Sequence, residues 1–192
     1  MTRSVEYSVT RRNDDSTLFD DQYDELRRFF RDAYGARYNG DDKLAKKFGE
    51  SDTCASLRFH GEMAAVALSS LGRITTIGTA SGLNDMLGGH SRFTTMINLL
   101  TRVKLTDGID WISVGVNYDR MSSAVALAGM KRTNCRDNIS RLLDSVGESD
   151  RYTIRSIEGS SVIIKGDYVQ KVYVKEGCDH DDNNTTDESI FE

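Results

Sequence analysis

The sequence predicts a mixed α/β protein: one largely antiparallel sheet flanked by helices. Three observations predict it. Apolar residues recur at three- and four-residue steps over 18–34 and again over 93–103, the spacing of amphipathic helices. Short β-branched runs joined by glycine-bearing turns fill 54–79, and alternating apolar residues fill 151–175. A nearly continuous apolar run, Ile109–Val116, stands between two helical stretches, as a strand buried on both faces does.

The elements follow in order. A short first strand covers Val5–Val9, and the polar stretch Arg11–Ser16 reads as a loop. Leu18, Phe19, Tyr23, Leu26, Phe29, Phe30 and Tyr34 share one face of a helix that ends near Gly35. Residues 41–48 suit a short helix. Strands are expected at Cys54–His60, Met63–Leu71 and Arg73–Thr79, the first two joined tightly by Gly61-Glu62. A loop with Gly82, Asn84, Asp85, Gly88 and Gly89 leads to a helix from His90 or Ser91 to Lys104, whose buried stripe is Phe93, Met96, Ile97, Leu100 and Val103. Strand Ile109–Val116 leads through Asn117-Tyr118-Asp119 into a helix over Arg120–Ala128. A strand at Met130–Cys135, a short helix at Ile139–Val146 and terminal antiparallel strands over 151–175 complete the chain.

Composition bounds the function. The 192 residues, 38% apolar and 29% charged, suffice for one core. The longest apolar run, Met63–Leu68, is far short of the roughly 20 residues a membrane helix needs. The N-terminal residues lack the apolar stretch of a secretory signal. Cys54, Cys135 and Cys178 are widely spaced and odd in number, which favours reduced thiols and a cytoplasmic setting; one nearby histidine, His180, is no zinc site. The net charge of −5 is unevenly divided. Residues 176–192 hold seven acids and no Lys or Arg, leaving 1–175 at +2. A domain over 1–175 with a disordered acidic tail over 176–192 is expected. There is no proline, so turns fall to Gly, Asn, Asp and Ser.

One unit carries chemistry: strand Arg73–Thr79, the Gly-bearing loop, the helix from His90, and strand Ile109–Val116. A helix start exposes unpaired N–H groups and partial positive charge, and Gly88-Gly89 lets the main chain approach an anion closely. Ser91 can cap that helix and Arg92 adds a full charge. An ordinary glycine turn before a capped helix is the competing reading.

Over roughly 50–135 this layout resembles the GNAT acyltransferase superfamily. Leu87-Gly88-Gly89-His90-Ser91-Arg92-Phe93 stands where that family holds the coenzyme A pyrophosphate, Asn117 stands at the strand end, and Ala128-Gly129-Met130 stands at the step after the next helix. The resemblance implies a GNAT-like sheet splayed between its two central parallel strands. It implies acetyl-CoA or another acyl-CoA as donor, an amine as acceptor, and direct attack of the amine on the thioester. Main-chain groups of Arg73–Thr79, with Thr76, Ile77, Gly78 and Thr79 at the cofactor, would polarise the thioester carbonyl. The loop Leu87, Gly88, Gly89, His90, Ser91, Arg92 and residue Asn117 would hold the coenzyme.

Asp119 is the first candidate for the base, ahead of His90, Asp85 and Glu62, and Tyr118 for the acid that protonates the leaving thiolate. Asp119 could instead cap its helix, and His60 reads as structural. Ser91-Arg92-Phe93 and Tyr118-Asp119 also resemble a narrower branch, the phage Mu-type Mom proteins that modify adenine in DNA. Arg102, Lys104, Arg120, Lys131, Arg132, Arg136 and Arg141 would then offer phosphate contacts. A third reading is a non-catalytic GNAT-like binding protein directed at a host factor, for which the acidic tail could imitate nucleic acid.

Overall fold

The structure, a computed structural model, describes residues 5–35, 40–80 and 91–176. Nine strands form one sheet in the order β1-β2-β3-β4-β5-β9-β8-β7, with β6 also against β9. The strands are β1 Val5–Arg11, β2 Thr53–Phe59, β3 Glu62–Ser70, β4 Arg73–Thr79, β5 Trp111–Gly115, β6 Lys131–Arg132, β7 Thr153–Ile157, β8 Ser160–Lys165 and β9 Tyr168–Val174. Every pairing is antiparallel except β4 with β5. The mixed, largely antiparallel sheet expected from the sequence is therefore present.

Three of its hairpins turn on two residues with positive φ: His60-Gly61, Leu71-Gly72 and Glu158-Gly159. Such turns match the twist of the flanking strands, and proline, fixed near φ −65°, has no place in them. The turn after β2 is thus His60-Gly61, with Phe59 opposite Glu62, and Glu62 already belongs to β3.

Among the described residues six helices cover the sheet: α1 Ser16–Asp21, α2 Tyr23–Tyr34, α3 Asp41–Gly49, α4 Arg92–Lys104, α5 Asp119–Leu127 and α6 Arg136–Ser145. The single helix expected over 18–34 is two. Asp15 caps α1 by accepting from the Leu18 N–H at 2.8 Å, and at Gln22 the ladder tightens to an i−3 bond onto Phe19. The expected face is still buried through Phe19, Leu26, Phe29 and Phe30. The strand expected over 130–135 shrinks to Lys131–Arg132, because β9 has one outer edge and β8 takes its first half. Residues 177–192, with the expected acidic tail, lie outside the described residues; Glu176 before them pairs with Lys131 at 3.4 Å.

Strand alternation sorts the core into two faces. On one, α4 and α5 pack Leu99, Leu100, Val103, Ala124 and Val125 onto Ala55, Leu57, Ala67, Ile112 and Val114. On the other, α1–α3 pack Phe19, Leu26, Phe29, Phe30, Leu44 and Phe48 onto Cys54, Val66 and Leu68. Beyond β5 on this second face, α6 covers Trp111, Ile163, Val172 and Val174 with Ile139 and Leu143. Among the described residues no helix is long and apolar enough to cross a membrane.

Gly78 sits where α2 presses on β4. A Cβ there would stand 2.7 Å from Phe30 and 2.9 Å from Phe29 ring carbons. Gly78→Ala should therefore lower the unfolding free energy by about 1–3 kcal/mol in urea titrations; an unchanged midpoint would show that the two rings can retreat.

Burial pushes the Cys54 thiol up to about 12, with Arg58 only partly offsetting it. A raised pKa stabilises the fold at pH values below the unfolded thiol's and loses that contribution as pH climbs through the folded one. Stability should decline between pH ~9 and ~12 by at most about 1.4 kcal/mol per unit from this group. Cys54→Ala should flatten that part of the profile, and an equal slope in the variant would assign it elsewhere.

Candidate active site

The site begins where two parallel strands part. β4 and β5 pair only at Arg73 with Trp111 and Ile74 with Ile112. At this end the Gly72 carbonyl accepts from both the Asp110 and Trp111 N–H groups, at 2.7 and 3.2 Å. One residue later the register of β4 against β3 shifts: Leu68 faces Thr76 but Ser69 faces Ile74, so Thr75 is the extra residue of a bulge. A bulge sharpens twist and ends pairing. The Thr75 hydroxyl donates to the Leu68 carbonyl at 3.2 Å and holds it in place. Among the described residues the β4–β5 ladder does not continue past Ile74 and Ile112.

The gap is a cavity of about 720 Å³. Its walls come from both faces of the sheet. Met96 of α4 and Met121 of α5 line it from one side, and Phe30 of α2 with Lys43, Leu44 and Lys47 of α3 from the other; Ile74–Ile77 and Ile112–Gly115 are its edges. It is a slot through the sheet, open to two layers of helices. That answers the main structural expectation: the central parallel strands are splayed, and the gap between them is open.

An arginine fixes the closed end. The Arg73 guanidinium lies over the Trp111 ring at 4.8 Å and near the Tyr152 ring at 5.3 Å. It donates to Ser113 Oγ at 2.8 Å and to Tyr152 Oη at 3.0 Å, and pairs with Glu148. Arg73 therefore joins the first residue of β4 to β5 and to the segment after α6. The planar, forked guanidinium can stack and donate at once.

The open end carries Tyr118. A Cβ on Gly115 would stand 2.8 Å from a Tyr118 ring carbon, so this glycine leaves the space the ring occupies. Gly115 shares its side of β5 with Trp111 and Ser113, which places Tyr118 at the slot's mouth on the α3 side. Tyr168, at the start of β9, lines the same cavity.

Of the residues expected at the site, Thr76, Ile77 and Tyr118 line the cavity. The Thr76 hydroxyl is buried and has no hydrogen-bond partner among the described residues. Gly78 and Thr79 continue β4 past the slot, paired to Val66 and Ala65. Ser91 caps α4, its Oγ accepting from the Thr94 N–H at 3.2 Å, so the capping expectation holds. Arg92 spends two donors on carbonyls, Ala80 at 3.1 Å and Ala33 at 3.2 Å, tying the start of α4 to the ends of β4 and α2.

Asn117 and Asp119 are exposed and outside the lining. Asp119 does not cap its helix either: Tyr118 holds that position, with no side-chain bond. Leu87, Gly88, Gly89 and His90, with Asp85, lie outside the described residues. Glu62 starts β3 on the exposed hairpin, and none of Arg102, Lys104, Arg120, Lys131, Arg132, Arg136 and Arg141 lines the slot. The sequence reading missed the side chains of Arg73, Lys43, Lys47 and Tyr168. The splayed strand ends it expected include Ser113 and Gly115.

No protein-family model matches the sequence, and no curated protein matches it. Among solved structures the chain is similar to the ribosomal-protein-S18-alanine N-acetyltransferase of Escherichia coli, at 15% identity over 88% of this chain and 94% of that one (TM-score 0.42). It is similar to an acetyltransferase of Bacillus subtilis in complex with CoA, at 15% identity over 91% and 99% (TM-score 0.44). It is also similar to the aminoglycoside acetyltransferase AAC(6')-Ib in complex with coenzyme A and kanamycin, at 13% identity over 90% and 95% (TM-score 0.41).

Removing Arg73 strands the half-buried Glu148 with only the more exposed Arg151. Arg73→Met should cost about 2–4 kcal/mol, and the double variant Arg73→Met with Glu148→Leu should recover much of it. A double-mutant cycle measures this, and additive losses would show that the pair is not coupled.

Proposed function

We propose that the protein transfers an acyl group from a coenzyme A thioester to an amine by direct attack within the slot between β4 and β5. The observation that carries this reading is the parting of the strands after Ile74 and Ile112. It leaves strand edges outside the β4–β5 ladder beside a cavity large enough for the reacting ends of two molecules. Main-chain groups outside a ladder can pair with a ligand, and an amide-bearing chain laid in the gap would run beside them. Preorganised N–H groups aimed at a carbonyl oxygen stabilise the charge that develops on it during acyl transfer.

The residues present suit that donor. Its pantetheine arm is a chain of amides and methylenes, matched by open strand edges beside Ile77, Met96 and Met121. The start of α4 offers the N–H groups of Arg92 and Phe93 ahead of the first helical bond. A bound acyl thioester would supply an activated carbonyl. Leu87, Gly88, Gly89, His90, Ser91 and Arg92 remain the proposed pyrophosphate segment, with Arg92 acting partly by holding the segment's end in place.

Tyr118 is the proposed acid. Tyr118 lines the cavity with its ring backed by Gly115, and its O–H is a proton donor. It can hand that proton to a departing thiolate and regain one from the attacking amine. Asp119, one residue on and exposed, is proposed to act on the amine only through Tyr118 or solvent.

Acetyl-CoA should raise the melting temperature. Saturation at about 100 times Kd contributes about 2.7 kcal/mol, and each kcal/mol moves the midpoint of a chain this size by roughly 2–4 °C. No shift at millimolar acetyl-CoA would overturn the reading. Tyr118→Phe should keep that shift while lowering kcat by about 10²-fold or more; full activity in the variant would remove Tyr118 from the chemistry.

A further inference from the structure

The two mouths of the slot differ in chemistry, and the difference bears on the acceptor. On the α4–α5 side the lining is apolar, through Met96 and Met121. On the α3 side Lys43 and Lys47, one helical turn apart, stand on one rim. Neither has an ion-pair partner among the described residues. Tyr118 and Tyr168, 57% and 63% exposed, stand on the other rim. No carboxylate lines the slot among the described residues. A small side recess shared with Lys47 and Thr75 holds Glu50 and Glu148. Both are engaged: Glu148 with Arg73 and Arg151, and Glu50 with Lys46 at 4.0 Å.

This lining disfavours an aliphatic amine. Such an amine is protonated at neutral pH, as lysine is with its pKa of about 10.4. It would approach two unpaired lysines as a like charge and find no carboxylate in the lining to take its proton. The same lining suits a molecule with an anionic group for the lysines, a flat ring for the tyrosine faces, and a nitrogen already uncharged. We propose that the acceptor is an arylamine carrying an anionic group, bound through the α3-side mouth with its anion at Lys43 and Lys47 and its ring against Tyr118 and Tyr168. This rests on the acyl-transfer reading above and names its substrate class.

An arylamine is neutral at physiological pH, so its nitrogen lone pair is free to attack without prior deprotonation. The bonds balance simply. The nitrogen forms a bond to the thioester carbonyl carbon, the carbon–sulfur bond breaks, and its electron pair leaves on sulfur. One N–H proton is lost from the nitrogen and one proton arrives on the thiolate through Tyr118. Two sources share this chemistry: the exocyclic amine of a nucleotide, and a ring amine bearing a carboxylate.

The test uses the full chain and separates binding from turnover. Calorimetry without acyl donor is run with adenosine 5′-monophosphate, 4-aminobenzoate and spermidine. One or both arylamines should bind, spermidine should not, and affinity should fall about tenfold or more as salt rises from about 0.05 to about 0.5 M. With acetyl-CoA present, thiol release should track acylation of the ring nitrogen. A faster nucleotide assigns the nucleobase source, and a faster aminobenzoate the aryl carboxylate. Lys43→Gln with Lys47→Gln should lower the ratio of kcat/KM for 4-aminobenzoate over that for uncharged aniline by about tenfold or more; these are exposed helix positions, and the melting temperature checks the fold. An unchanged ratio, or spermidine as the preferred acceptor, overturns the proposal. If acetyl-CoA binds and spermidine takes the acyl group, the acceptor class falls and acyl transfer stands. If acetyl-CoA does not bind, both fall.

Discussion

The structure turns on two rungs of parallel ladder. The β1 side of the sheet hangs on β4 and the β7 side on β5, and among the described residues the ladder between them consists of Arg73–Trp111 and Ile74–Ile112. Two rungs are a weak seam by themselves. They hold because the Gly72 carbonyl takes two N–H groups and because Arg73 crosses the seam to Ser113, Trp111, Tyr152 and Glu148. Within the β5 half, Lys175 braces Asp110, its N–H to the Asp110 carbonyl and its ammonium to the Asp110 carboxylate at 2.8 Å. The seam is strong at one end so that it can be absent at the other. A longer ladder would be more stable and would close the slot.

What keeps the halves apart is packing. Each half-sheet has helices of its own: α1–α3 belong to β2–β4 through Phe29, Phe30 and Phe48, and α6 belongs to β5, β8 and β9 through Ile139 and Leu143. Both assemblies lie on one face, and neither is built to slide over the other. On the opposite face α4 and α5 bridge the gap, and their packing onto Ile74, Ile112 and Val114 fixes the angle at which the strands diverge. Gly78 matters for the same reason, since α2 reaches the end of β4 only where a side chain is missing.

Much of this frame was legible in the residues. Arg73–Thr79 could be read to the residue because β-branched Thr75, Thr76 and Ile77 lie between glycine turns, and α4 because Ser91 caps an unbroken apolar stripe. Such signals are local, carried by neighbours in the chain. The break at Gln22 was hidden, since its φ and ψ stay helical and only a hydrogen bond shortens. The length of β6 was hidden too, because competition for the edge of β9 is settled far away in sequence. At the site, Thr76 and Ile77 came from the role the family resemblance gives that strand, and Tyr118 from its place between a strand and a helix. Arg73, Lys43 and Lys47 were missed. An arginine beginning a strand is unremarkable until Glu148 and Tyr152 arrive from 75 and 79 residues away. Likewise α3 reads as an ordinary charged helix, with Asp41 tied back to Arg31, until its lysines are seen above a gap in the sheet.

That placement gives the slot a polarity. Lys46 stands among the same residues of α3 and is paired to Glu50, whereas Lys43 and Lys47, which overlook the cavity, have no such partner among the described residues. Unpaired lysines gain nothing for the fold and lengthen the list of charges it must tolerate, and exposed tyrosines leave apolar area in water. Neither feature is needed to open the strands, since the bulge at Thr75, the arginine clamp and the helix packing do that. The frame and the furnishing of its mouth are therefore separable. A chain could keep β4, β5 and the bulge while changing α3 and the turn before β9, and would then present the same row of amides to a different second molecule.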